Sequence, residues 1–399
     1  MKILIANSSY KPNTVAGAEK VVETLGENLT GRGHEVVIVT TQPQGGPVTR
    51  KLSGVTVHYL PVANVYRPFT GARPSASRKA LWHLVDTYNP FMSRAFSAVL
   101  GAERPAVVNT HNMAGLSTSV MMAVRRQNLP LVHTMHDQYL LCPKGTMFKN
   151  DRNCVGQCAD CRIYSAPRRW VSQGVDVAVG VSRFILERHL AMGFFRSSDA
   201  KVIHNGLGLK SSSQNQSSNP RTAVRFGFLG QLRSTKGVHR LIAAFMAECA
   251  TDAELWIAGK GDDVFEAELK ALSAHVPTIR WLGFTHAAAF LDEIDVLVVP
   301  SLWNDTAPLV VLEASAHGVP VLGSNRGGIP ELVNSRAGWI FDPDVEDSLR
   351  QSLRHCIEQR ANFSAMSRAA VAHSGSFNLD RFIDEYETTY EEAIRRKLR

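Results

Sequence analysis

The densest chemical signal lies between residues 296 and 314. The apolar run Val296-Leu297-Val298-Val299 ends at Pro300, the polar loop Ser301–Ala307 follows, and a helix is expected from Pro308. Proline is pre-organised for the first helical position. The helix start would leave the N–H groups of Leu309 and Val310 unpaired, a natural seat for a diphosphate. Glu313 comes one turn later, where a carboxylate can accept two hydrogen bonds from a ribose diol, about 1.5–3 kcal/mol each. The plainer alternative makes Glu313 a complement to the helix dipole. A second segment, Phe226 to Gly237, reads as a strand closing at Gly230, then a loop carrying Arg233 and Lys236. Cations at a strand end suit a diphosphate whose charge spreads as a bond breaks, although a solvated basic loop has the same composition. Two glycine turns follow, at Ala258-Gly259-Lys260-Gly261 and at Trp281-Leu282-Gly283-Phe284. A lone Gly-x-Gly usually marks only a turn.

In the first half, His111 and His136 each close a strand-like run. Imidazoles there can hydrogen-bond sugar hydroxyls and carry protons, with a purely structural role as the alternative, above all for His111. His34, in a glycine-flanked turn, is expected to be structural. Gly17 opens a helix in Ala16-Gly17-Ala18-Glu19, and Asp137 follows His136 directly. Cys142, Cys154, Cys158 and Cys161 fall within twenty residues. Such a cluster in a reducing compartment favours a structural zinc over disulfides. An iron–sulfur cluster, disulfides or free thiols are the alternatives.

These segments together resemble the retaining glycosyltransferases of family 4, which have the two-domain GT-B fold. The family carries an acid, seven residues and then a glutamate. Asp305 and Glu313 have that spacing, with Asp305 standing where glutamate is usual. Gly318-Val319-Pro320-Val321 and Gly327-Gly328-Ile329-Pro330-Glu331 also look like family sequence. The resemblance implies that Asp305 approaches the donor sugar and that Glu313 holds the ribose. It gives the diphosphate to Lys236 and the helix start at Leu309 and Val310, the nucleobase to the backbone at Gly283 and Phe284, and a phosphate approach to Gly17. The family usually has arginine after the glycine at 230; here that residue is Gln231, and Arg233 is the candidate substitute. A histidine–aspartate pair like His136-Asp137 is also a family feature, so His136, Asp305 and Lys236 are the implied catalytic residues. His111 and Asp137 are the candidate acceptor or sugar contacts. No catalytic metal is implied; the nucleotide-diphosphate sugar is a co-substrate.

The elements that must position these residues alternate strand and helix in both halves, an α/β pattern with parallel sheets. Two Rossmann-like domains facing a central cleft are expected. The boundaries are residues 1–205 with a cysteine-rich insert at 142–161, a polar linker at 206–222, and a nucleotide-sugar domain at 223–378. A C-terminal helix at 379–399 should return to the first domain. At 399 residues the chain suits two domains. No run of eighteen apolar residues occurs and the start lacks a signal-peptide core, so a cytoplasmic protein is expected. The net charge of +8 divides as +11 over residues 1–199 and −3 over 200–399. The basic residues are scattered without a recognition-helix pattern, which argues against nucleic acid. An anionic inner membrane face or a phosphorylated acceptor fits, with a solvated surface as the alternative. Candidate membrane contacts are Arg67, Arg73, Arg78, Lys79, Arg168 and Arg169. The expected activity moves a sugar to an acceptor hydroxyl of a glycan or lipid-linked glycan, with retained configuration. The rivals are another GT-B activity, such as a sugar-nucleotide epimerase or a phosphorylase, and a non-catalytic nucleotide-sugar-binding module.

Overall fold

The computed structural model describes all residues except 13–16, 43–44, 67–73, 207, 209–222, 250 and 399. Arg67, Arg73 and all of the expected linker except residues 206 and 208 therefore lie outside the described residues. The chain is an α/β protein of two compact units. One comprises Met1–Met147, Cys154–Gly206 and Leu379–Arg399; the other comprises Phe148–Asn153 and Leu207–Asn378.

The strands in chain order are β1 (Lys2–Ala6), β2 (Glu35–Gln42), β3 (Val48–Leu52), β4 (Val55–Pro61), β5 (Val107–Thr110), β6 (Leu131–Met135), β7 (Phe148–Lys149), β8 (Arg152–Asn153), β9 (Val177–Gly180) and β10 (Asp199–Val202), then β11 (Val224–Leu229), β12 (Ala253–Ala258), β13 (Ile279–Gly283), β14 (Val296–Val299), β15 (Val321–Ser324) and β16 (Gly338–Phe341). The first unit holds an eight-stranded sheet in the order β10-β9-β6-β5-β1-β2-β4-β3, parallel throughout except for the β3–β4 pair. Its central strands β1, β2, β5 and β6 are buried along most or all of their length, as a sheet covered on both faces requires. The second unit holds a six-stranded parallel sheet in the order β13-β12-β11-β14-β15-β16. Phe226 and Phe245 belong to one core cluster there, Leu297 and Val311 to another.

Each sheet has a point where the chain reverses its direction of progress. In the first unit β1 has β2 on one side and β5 on the other. In the second unit β11 has β12 on one side and β14 on the other. Ligands of such sheets bind beyond the carboxyl ends of the strands at these points.

Three helices have no counterpart in the sequence reading: Ala76–Thr87, Ala159–Ser172 and Phe363–Ser374. The second contains Pro167, which argues against a helix when read alone. The edge strands β3 and β10 were hidden because their residues are mostly exposed and polar.

The C-terminal helix, Leu379–Lys397, is part of the first unit. Tyr386 and Tyr390 are fully buried on it. Asn109 Nδ2, in β5, donates to Tyr390 Oη at 2.9 Å, and Thr134 Oγ1 lies 3.2 Å from Tyr386 Oη. Glu387 accepts from Arg32 at 2.8 Å and pairs with His34 at 2.8 Å. Removing the Tyr390 hydroxyl with Tyr390→Phe leaves the buried Asn109 amide without that acceptor. The expected cost is about 1–3 kcal/mol, seen as a lower urea midpoint at constant slope. An unchanged midpoint would show that this bond does not anchor the helix.

Candidate functional site

In the second unit the site is built at the β11–β14 reversal. After β11 the chain makes a single 3-10 turn, Ser234–Lys236, and enters the helix Val238–Glu248 through Gly237. Gly237 has φ +72°, and a Cβ placed on it would stand 1.9 Å from the carbonyl oxygen of Pro300. Only glycine lets this turn lie against the end of β14. The Thr235 carbonyl then accepts from the amides of Leu302 at 2.9 Å and Trp303 at 3.3 Å. This stitching brings Lys236 and Asp305 together: Lys236 Nζ donates to Asp305 Oδ2. The ammonium also lies 5.5 Å from the centroid of the Trp303 ring. Asp305 is buried, and the same carboxylate oxygen accepts from Ser301 Oγ at 3.4 Å. Its carbonyl accepts from Gly328 N at 2.8 Å.

The neighbouring strand ends close in the same way. A Cβ on Gly259 would meet the Gly230 carbonyl at 1.8 Å, so these two turns touch backbone to backbone. Gly259 N donates to Gly283 O at 2.7 Å. Phe284, the next residue, is 74% exposed, and Arg233 is exposed as well. The helix Leu309–Ala316 follows Pro308, and no side chain caps its first turn. Glu313 is a buried residue of that helix. The structure thus brings Lys236 and Asp305 into contact, carries Gly230, Leu309, Val310 and Glu313 on elements that follow the adjacent strands β11 and β14, and places Gly283 at the end of β13, two strands from β11.

One residue of this site was not foreseen. Asn153 Nδ2 donates to Leu302 O at 2.7 Å, and Asn153 Oδ1 accepts from Asn304 N at 2.8 Å. The short β7–β8 hairpin therefore braces the loop that carries Asp305. Its signal was the turn pair Asn150-Asp151, both at positive φ as a two-residue hairpin turn requires.

In the first unit, β6, β5 and β1 are neighbours, and their ends present His136, His111 and Asn7 side by side. His111 N donates to Ala6 O at 2.8 Å, and Asn112 N donates to Asn7 Oδ1 at 3.1 Å. His111 Nδ1 and His136 Nε2 are 2.8 Å apart, with the rings stacked at 5.1 Å. Burial pushes His136 down to about 4 and holds His111 well below its ordinary value. The pair is neutral at neutral pH and shares one hydrogen bond between its two rings. Burial raises Asp137 to about 6, although Tyr139 N donates to it at 2.8 Å. Gly17 opens the helix Gly17–Gly31 and is exposed.

One expectation gains no support and another needs correction. No group of three metal-ligating side chains that could hold a metal ion is found among the described residues, and Cys142, Cys154, Cys158 and Cys161 form no disulfide there, so the structural zinc stays an expectation. Cys161 has Cys142 and Cys158 beside it, and burial together with these neighbours pushes its thiol up. Cys158 stands exposed at the start of the helix Ala159–Ser172. Arg168, expected as a surface cation, is fully buried. Its guanidinium lies 3.9 Å over the Tyr139 ring and donates to the Tyr139 carbonyl.

The buried imidazoles have a consequence for stability. His136 and His189 are pushed down to about 4 and His133 to about 3, all chiefly by burial. Between these values and the ordinary histidine value of about 6.5, the unfolded chain binds protons that the folded one refuses, so stability falls as pH falls. Asp86 and Asp137, raised to about 6, act in the opposite sense below that value, but they are fewer. The melting temperature should therefore be lower at pH 5 than at pH 7. An equal or higher value at pH 5 would contradict neutral, buried histidines.

Comparison with known proteins agrees with this architecture. Residues 16–206 match the model described as "Glycosyl transferase 4-like domain", and residues 223–359 match "Glycosyl transferases group 1". An uncharacterized 42.6 kDa protein in the cps region of Klebsiella pneumoniae is 29% identical over 347 residues, covering 87% of this chain and 91% of that protein. Sucrose-phosphate synthase from Thermosynechococcus elongatus superposes with a TM-score of 0.77 at 18% identity, covering 98% of both chains. HepE of Anabaena, in complex with UDP and glucose, superposes with a TM-score of 0.72 at 18% identity, covering 98% of this chain and 99% of that one. The chain belongs to the group 1 glycosyl transferases, enzymes of the GT-B fold with two Rossmann-like domains.

Proposed function

We propose that the protein is a retaining hexosyltransferase that moves a sugar from a nucleotide-diphosphate donor to an acceptor hydroxyl in cell-surface glycan or glycolipid synthesis. The observation that carries this reading is the Lys236–Asp305 contact at the β11–β14 reversal, beside an uncapped helix start and Glu313. The second unit binds the donor. Lys236 and the N–H groups of Leu309 and Val310 hold the diphosphate, and Glu313 accepts hydrogen bonds from the ribose hydroxyls. Arg233 adds charge at the mouth of the same loop, and the backbone at Gly283 and Phe284 meets the nucleobase. HepE, crystallised with UDP and glucose, supports a nucleotide sugar as the ligand class. The relative from a cps region is in keeping with polysaccharide synthesis.

In the reaction the bond between the sugar and the diphosphate breaks, and the leaving oxygen takes the electron pair. Lys236 and the helix start stabilise that charge where it develops. The acceptor oxygen bonds to the anomeric carbon on the face the diphosphate has just left and gives its proton to the leaving diphosphate oxygen, so the configuration is retained. Asp305 has two duties. It neutralises Lys236 before the donor arrives and faces the sugar once the diphosphate has drawn the ammonium away. From the first unit, Gly17 approaches the phosphate, while His136, neutral because it is buried, offers a hydrogen bond to a sugar hydroxyl. Asp137 and His111 support the same end of the sheet. The basic first half attaches the enzyme reversibly to the anionic inner membrane face, where a lipid-linked acceptor would lie.

A panel of nucleotide sugars tests the donor class, since a true ligand raises the melting temperature by mass action. Glu313→Ala should weaken binding of the selected nucleotide by about 1.5–3 kcal/mol, roughly ten- to a hundredfold in calorimetry. Unchanged affinity removes Glu313 from the ribose. Asp305→Ala should lower turnover more than donor affinity, and Asp305→Glu should keep activity. An alanine variant with normal turnover would reduce Asp305 to a loop residue. Conversion of the donor to an isomeric sugar nucleotide without acceptor would identify an epimerase instead.

A further inference from the structure

The helix Ala159–Ser172 is amphipathic in the wrong sense for a protein surrounded by water. Its buried face holds Cys161, Ser165, Arg168 and Ser172, with Val171 as the one aliphatic member. Its exposed face carries Ile163, Ala166, Pro167 and Trp170 at the i, i+3, i+4, i+7 spacing that ordinarily marks a core stripe. Ile163 is 67% exposed and Trp170 59%. The buried side chains are spoken for: Arg168 packs on Tyr139, and Ser165 and Ser172 have hydrogen-bond partners. The helix cannot turn its apolar face inward without burying those polar groups elsewhere.

The same surface continues on the next helix. Tyr164 Oη donates to Ala80 O at 3.3 Å, and its ring lies 6.0 Å from His83, so Ala159–Ser172 packs against Ala76–Thr87. That helix exposes Leu81 and Leu84, and the track runs on through Tyr88 to Phe91, which is 71% exposed. Apolar patches of this kind on a single chain mark a binding surface. The charge around it identifies the partner. Arg78, Lys79, Arg94, Arg162 and Arg169 are exposed on the helices Ala76–Thr87, Pro90–Glu103 and Ala159–Ser172, and Asp160 is their one fully exposed acid. Apolar and aromatic side chains framed by cations fit the boundary of an anionic bilayer, where rings and aliphatic chains enter the acyl edge and cations meet phosphates.

We propose that this face, centred on Ile163 and Trp170 and extended by Leu81, Leu84 and Phe91, is the surface that docks the enzyme onto an anionic lipid bilayer. The inference rests on the membrane attachment proposed above and names the residues that make it. Docking is interfacial: no helix of the described residues is long and apolar enough to cross a membrane. Attraction by exposed cations is screened by salt, whereas insertion of the apolar stripe is not. The two contributions can therefore be separated.

The test is co-sedimentation of the full chain with vesicles of phosphatidylglycerol in phosphatidylethanolamine, against phosphatidylcholine vesicles, at low and high salt. Wild type should bind the anionic vesicles and weaken as salt rises. The double variant Ile163→Ser, Trp170→Ser should bind at least tenfold more weakly while keeping its melting temperature and its nucleotide affinity. The variant Arg162→Gln, Arg169→Gln should lose the preference for anionic lipid. If the serine variant sediments like wild type, the docking face is elsewhere, although attachment itself stands. If wild type ignores anionic vesicles at low salt, the attachment reading fails with it. A concentration-dependent dimer that the serine variant abolishes would make this a self-association face and overturn the lipid assignment.

Discussion

The contact between the Gly237 backbone and the Pro300 carbonyl decides how the loops at the strand ends of the second unit are arranged. Two parallel strands that are neighbours in the sheet must each release a turn at the same end, and the space between those turns is fixed by the strand spacing. A side chain at position 237 would collide at 1.9 Å, so the residue is glycine and the turn lies flush against the end of β14. Everything chemical in this unit follows from that closeness. The Thr235 carbonyl can reach two amides of the next loop, Lys236 can reach Asp305, and Asn153 can clamp the far side. A looser turn would leave a flexible lysine and a mobile loop. The backbone instead sets both before any ligand is present, which is what electrostatic preorganisation requires.

The first unit solves the corresponding problem without charge. Its β1–β5 reversal ends in Asn7, His111 and His136, all bonded to one another or to nearby backbone. A protonated imidazole among these buried groups would be an uncompensated cation, and burial keeps both rings neutral. One half of the protein thus presents an ion pair and the other a neutral imidazole pair.

Much of this was legible in the chain because parallel α/β sheets write their strands as unbroken apolar runs. Val296–Val299 and Ile3–Ala6 could hardly be anything else, and the residues just after them were the natural site candidates. What stayed hidden has physical causes. Edge strands such as β3 lack an apolar run because one side faces solvent. The helix Ala159–Ser172 was hidden because Pro167 lies inside it, where a proline ordinarily argues against a helix. The role of Gly259 could not be separated from that of an ordinary turn glycine, since its reason is a contact with Gly230, nearly thirty residues away. The cysteines are a related case. Spacing along the chain says that thiols are near in sequence, whereas metal binding needs them to converge in the deprotonated state.

The aspartate at 305, in a place where glutamate is usual, is best understood through the anchoring of its backbone. Its carbonyl is gripped by the amide of Gly328, and a Cβ on Gly327 would lie 2.0 Å from that same oxygen, so the main chain at 305 has no freedom to shift. From a fixed backbone, the short side chain reaches Ser301 and Lys236 together. A side chain longer by one methylene would have to fold back to keep both contacts from the same backbone position. In a largely buried pair the attraction must offset the cost of taking both charges out of water. Under the proposed function, a diphosphate, with more negative charge to offer, would draw Lys236 away and leave the carboxylate to the donor sugar.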